Sequence, residues 1–84
     1  MRSPILMPDV GGDMPAVNLW FAQPGDQVYA GDRLVELLLD GATFDVSSPV
    51  DGRLAEKIAR PGDHFAAGQI LGWIEQEHTG GVSV

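Results

Sequence analysis

Short apolar stretches recur along the chain, separated by Pro-Gly-Asp, Ala-Gly or Asp-Gly signals. Val17–Ala22, Arg33–Leu39, Thr43–Ser47, Leu54–Ala59 and Ile70–Glu75 have the length and composition of strands. No window sustains apolar spacing at 3.6 residues for the three or four turns that a long helix needs. Many short strands with repeated turns point to an all-β fold.

The pattern repeats. Ala22–Leu37 reads AQPGDQVYAGDRLVEL, and Ala59–Ile74 reads ARPGDHFAAGQILGWI, an offset of 37 residues. Pro24-Gly25-Asp26 falls on Pro61-Gly62-Asp63, Ala30-Gly31 on Ala67-Gly68, and Leu34 and Leu37 on Leu71 and Ile74. In each repeat a strand leads into a Pro-Gly-Asp turn, where proline fixes φ and glycine accepts a positive one. An apolar residue, Val28 or Phe65, then enters the core, and Ala-Gly turns the chain into the next strand. Neither repeat alone can cover its apolar face, so the two are expected to pack about a pseudo-two-fold axis. The expected core is Val17, Phe21, Val28, Leu34, Leu37, Val46, Leu54, Ile58, Phe65, Leu71 and Ile74. Leu34–Leu39 and Thr43–Ser47 flank Asp40-Gly41, a strong signal for a central hairpin.

Composition narrows the function. The 84 residues suffice for one domain, placed at 1–76, with 77–84 expected to be a flexible tail. The net charge is −7, and the five basic residues Arg2, Arg33, Arg53, Lys57 and Arg60 are scattered, which argues against nucleic acid as a partner. There is no cysteine, no signal peptide pattern and no apolar run long enough to span a membrane, so a cytoplasmic location is the expectation.

Catalytic chemistry finds no support. His64 and His78 lack a partner at metal-ligand spacing. Ser47 and Ser48 have no base nearby in sequence. The glycines do not follow phosphate-loop spacing. No catalytic residue, metal site or cofactor is expected. Asp26, Asp32 and Asp63 read as turn residues that bond backbone amides.

At this point a family resemblance emerges. Met7-Pro8-Asp9-Val10-Gly11, Gly25–Leu34, Glu36, Asp40–Gly52, Gly62-Asp63, Gly68–Leu71 and Ile74-Glu75 together resemble a lipoyl or biotinyl attachment domain, most closely the lipoyl domains of 2-oxo acid dehydrogenase acyltransferases. The resemblance implies a flattened barrel-sandwich hybrid of two four-stranded antiparallel sheets with internal pseudo-two-fold symmetry. It also implies a prosthetic group on a lysine at the hairpin tip. Here the tip reads Asp40-Gly41-Ala42, and Gly41 occupies the usual attachment position. Glycine has no amine with which to form the amide.

The sequence reading is therefore a non-catalytic structural or protein-interaction module that acts through a protein partner or self-association. The alternative is a carrier domain or a degenerate subunit of an acyl-transfer or carboxylase complex. Strand parity sets Trp20 and Trp73 outward, and Leu38 stands where carriers commonly have a charged residue. With Leu39 they are the expected interaction surface.

Overall fold

The computed structural model describes residues 1–11 and 13–76. Seven strands follow one another: β1 (Arg2–Leu6), β2 (Ala16–Trp20), β3 (Gln27–Val28), β4 (Arg33–Leu39), β5 (Ala42–Ser47), β6 (Gly52–Lys57) and β7 (Ile70–Gln76). They form two antiparallel sheets, ordered β1-β7-β6-β3 and β2-β4-β5. The most apolar strands, β4 and β7, occupy interior positions, where side chains on one face are wholly removed from water. Each such aliphatic side chain contributes about 1.5–3 kcal/mol. Between the sheets lie Val17, Leu34, Leu37, Leu54, Leu71 and Ile74, joined by Ile5, Met7, Val35 and Val46.

The 37-residue repeat is visible in the backbone. Gly25 and Gly62 have φ of 97° and 94°. The Gln23 amide donates to Asp26 Oδ2 at 2.8 Å, and the Arg60 amide donates to Asp63 Oδ2 at 2.9 Å. Bonds between the repeats are reciprocal. Gly25 N–H donates to the Leu54 carbonyl and Gly62 N–H to the Val17 carbonyl, both at 2.7 Å. Leu54 N–H donates to Asp26 and Val17 N–H to Asp63 in the same crossed manner. The repeats differ in one connection: Met7 to Val17 takes four residues more than its counterpart, Ser48 to Leu54.

The expected barrel-sandwich of two four-stranded sheets is corrected on both counts. Neither sheet closes on itself, and the second sheet has three strands. Its fourth strand is reduced to a single bridge, Ala16 opposite His64. The next rung would need a donor at residue 15, which is proline, so the Phe65 carbonyl cannot be bonded there. Phe65 N–H still reaches the Pro15 carbonyl, at a long 3.3 Å.

Two expected core residues are also corrected. Phe21 and Ile58 are each 42% exposed. They occupy the same place in the two repeats, and each follows a register shift, between Val17 and Leu19 in β2 and between Leu54 and Glu56 in β6. The extra residue reverses the alternation beyond it. Phe65 is half-buried against the core, and the other eight expected residues are buried. The proposed tail, 77–84, lies outside the described residues.

Candidate functional site

The central hairpin is the feature to which the sequence directs attention. Leu39 and Ala42 are opposite each other and close a two-residue turn. Asp40 has φ of 53° and Gly41 φ of 79°. Positive φ at both central residues defines a type I′ turn, whose twist matches that of the flanking strands. Asp-Gly is among the sequences best suited to it. Asp40, Gly41 and Ala42 are all exposed. Space around Gly41 is open, since a Cβ built there meets nothing within 4 Å. What the position demands is a left-handed backbone, which a lysine adopts only with strain.

The candidate interaction residues occupy different places. Leu38 follows the inward-facing Leu37 and lies on the outer face of the second sheet, 41% exposed. Leu39 is half-exposed at the base of the turn. Trp73 is half-buried on the outer face of the first sheet, in register with Pro4 and Glu56. The outer faces of two packed sheets point in opposite directions, so Leu38 and Trp73 do not share a surface. Trp20 packs against the core, donates its indole N–H to the Ala59 carbonyl at 2.9 Å, and lies close to Gly72.

The chain's single lysine is Lys57, at the end of β6. Its Nζ donates to Gln23 Oε1 at 2.8 Å and stands 5.8 Å from the centre of the Trp20 ring. The amine is thus engaged on the body of the domain, away from the hairpin tip.

The acidic turn residues are spent on backbone amides. Besides Asp26 and Asp63, Asp32 Oδ2 accepts from the Tyr29 amide at 2.9 Å. Gln69, the counterpart of Asp32, accepts from the Ala66 amide at 2.6 Å. Asp26 and Asp32 also line an open groove of about 410 Å³ with Phe21, Gln27 and Arg33. The Arg33 guanidinium covers the Phe21 ring at 4.5 Å and stands 3.5 Å from Asp45. His64 Nδ1 lies 3.0 Å from the Met14 carbonyl. His78 is outside the described residues. Among those described, no three metal-ligating side chains come together, and no helix is long and apolar enough to cross a membrane.

The Glu75 carboxyl departs from its ordinary range. The Met1 ammonium, 2.8 Å from Glu75, bonds it and attracts it, and Arg2 adds to the effect, so the Glu75 pKa lies below the usual value.

The sequence reading missed β1 and, with it, the six-residue edge that β5 presents on the far side of the other sheet. The signal was present in Arg2–Leu6, whose Ile5 is a core residue, but Pro4 obscured it.

Comparison with known proteins accords with the geometry. Residues 3–74 match the biotin/lipoyl family, described as biotin-requiring enzyme. The chain is 37% identical over 81 residues to the lipoamide acyltransferase component of the branched-chain alpha-keto acid dehydrogenase complex of Pseudomonas aeruginosa, covering 94% of this chain and 19% of that protein. It is 38% identical over 77 residues to the dihydrolipoyllysine-residue succinyltransferase component of the 2-oxoglutarate dehydrogenase complex of Bartonella vinsonii subsp. berkhoffii, covering 89% and 19%. It therefore spans about a fifth of the length of these relatives. The solved lipoyl domain of the 2-oxoglutarate dehydrogenase complex from Azotobacter vinelandii superposes with a TM-score of 0.65 at 23% identity, covering 93% of this chain and 96% of that one. A single-chain, multi-domain long-chain acyl-CoA carboxylase contains a similar fold, with a TM-score of 0.77 at 18% identity, covering 94% of this chain and 7% of that one.

Proposed function

The chain belongs to the biotin/lipoyl attachment family, and from that premise we propose that it is a degenerate, cargo-free lipoyl-like domain of an acyl-transfer complex. Domains of this family are non-catalytic modules that other proteins act upon. In the proposed role the hairpin still presents itself to protein partners within such an assembly but delivers no acyl group.

The observation that carries this reading is the turn at Asp40-Gly41. A carrier needs a flexible side chain ending in an amine, projecting from the hairpin tip. Gly41 supplies none, and its type I′ backbone suits glycine. Lys57 is a poor substitute, since its amine is bonded to Gln23 and lies over Trp20. The acyltransferase components among the relatives favour a lipoyl setting over a biotin one.

Intact-mass measurement after incubation with lipoate ligase, lipoate and ATP tests the proposal. Wild-type protein is expected to keep its mass, and Gly41→Lys to gain one lipoyl group. A stoichiometric increment on the wild type, mapped to Lys57, would overturn it.

A further inference from the structure

The two sheets end in edges that are managed unequally. β2 is met on its outer side by the His64 bridge, and β3 is only two residues long. β1 and β5 are the longer edges and are counterparts in the repeat. β1 pairs Ser3 with Ile74, as β5 pairs Phe44 with Leu37, so Pro4 corresponds to Asp45. In an antiparallel ladder, alternate residues turn their N–H and C=O away from the partner strand. Counting from the turn closed by Leu39 and Ala42, the outward residues of β5 are Thr43 and Asp45. The correspondence agrees, because Pro4, with no N–H, is suited to an outward position. β1 is thus blocked where β5 offers a donor. β5 contains no proline and no lysine, and no described residue pairs with its outer side.

We propose that β5 is a self-association edge, pairing antiparallel with β5 of a second copy of this chain so that Phe44 lies on the two-fold axis. The inference stands apart from the reading of Gly41. Its occupant is fixed by self-complementarity. With Phe44 opposite Phe44, Thr43 of each copy faces Asp45 of the other, and both residues turn their backbone groups to the outer side, where they can exchange hydrogen bonds. The Thr43 hydroxyl can donate to the opposing Asp45 carboxylate. No acid faces an acid, and Arg33 lies 3.5 Å from Asp45 to offset its charge. Phe44 would then form a non-hydrogen-bonded aromatic pair, the arrangement that brings side chains closest. In the single chain it is 36% exposed although it lies opposite the fully buried Leu37.

Sedimentation equilibrium of the full chain from micromolar to millimolar concentration tests the proposal. The wild type is expected to approach dimer mass, more readily at high salt, since each copy carries −7. Asp45→Pro, which copies the β1 solution, is expected to sediment as a monomer while keeping its strand spectrum. The absence of cysteine permits a second readout that does not depend on that variant folding. Non-hydrogen-bonded pairs place Cα atoms about 4.5 Å apart, within the roughly 4.4–6.8 Å that a disulfide spans. Phe44→Cys should therefore crosslink rapidly under mild oxidation, and Leu38→Cys, on the other face, slowly. A wild type that stays monomeric throughout, an Asp45→Pro that dimerises equally, or equal crosslinking at both positions would overturn the proposal.

Discussion

The indole N–H of Trp20 donates to the carbonyl of Ala59 across 2.9 Å. This bond ties the end of β2, in one sheet, to the segment that follows β6, in the other. Ala59 is almost wholly buried, so its carbonyl would lose a partner if the indole were removed. Trp20→Phe keeps most of the packing and is expected to cost about 1–3 kcal/mol in urea unfolding, the usual penalty for an orphaned buried acceptor.

Gly41 and Gly72 should respond oppositely in mechanism. At Gly41 the space is open and only the backbone objects, so Gly41→Ala should cost about 1 kcal/mol. At Gly72 a Cβ would press on the Glu56 carbonyl and lie 3.1 Å from the Trp20 ring. Backbone cannot yield as a side-chain tip can. Gly72→Ala should cost about 3 kcal/mol and broaden the resonances of Trp20. Equal losses at the two sites would contradict this account.

Asp26 and Asp63 perform one task in two repeats, each accepting from the amide three residues before it. Removing either carboxylate by Asp→Ala is expected to lower stability by about 1 kcal/mol. Thermal unfolding of the two variants should give closely matched shifts. A large disparity would show that the turns are not energetically equivalent.

Glu75 gives the pH dependence a sign. Its folded pKa is depressed, first by the Met1 ammonium and then by Arg2. The contribution is therefore present above the ordinary glutamate pKa and is lost as pH falls through the folded value. Side-chain carboxyl NMR should find Glu75 titrating below the ordinary glutamate value. Acetylation of the Met1 amine should raise it, and an unchanged midpoint would remove the ammonium as the main cause.

Much of this architecture was legible because glycine, proline and aspartate mark turns by mechanism. The 37-residue offset located both Pro-Gly-Asp turns, and Arg33–Leu39 was read with its observed bounds. Alternation proved less safe. A register shift after Val17, repeated after Leu54, exposes Phe21 and Ile58 and turns Trp20 toward the core. Such shifts leave no local mark in composition. The reduction of a fourth strand to one bridge came from Pro15, whose effect depends on a partner 50 residues away in sequence. At the site, Asp40-Gly41 announced its turn, whereas the open edge of β5 emerged only after β1 and its Pro4 had been set beside it.

The crossed bonds between the repeats make the two halves interdependent. Gly25 reaches for Leu54 while Gly62 reaches for Val17, so each half completes the other and neither completes itself. A half-length chain with the same residues could satisfy these donors only by pairing with a second copy. Held in one polypeptide, the two halves keep this crossed bonding without having to match residue for residue. A proline could then close one edge while the other stayed open, and one connection could lengthen without its counterpart.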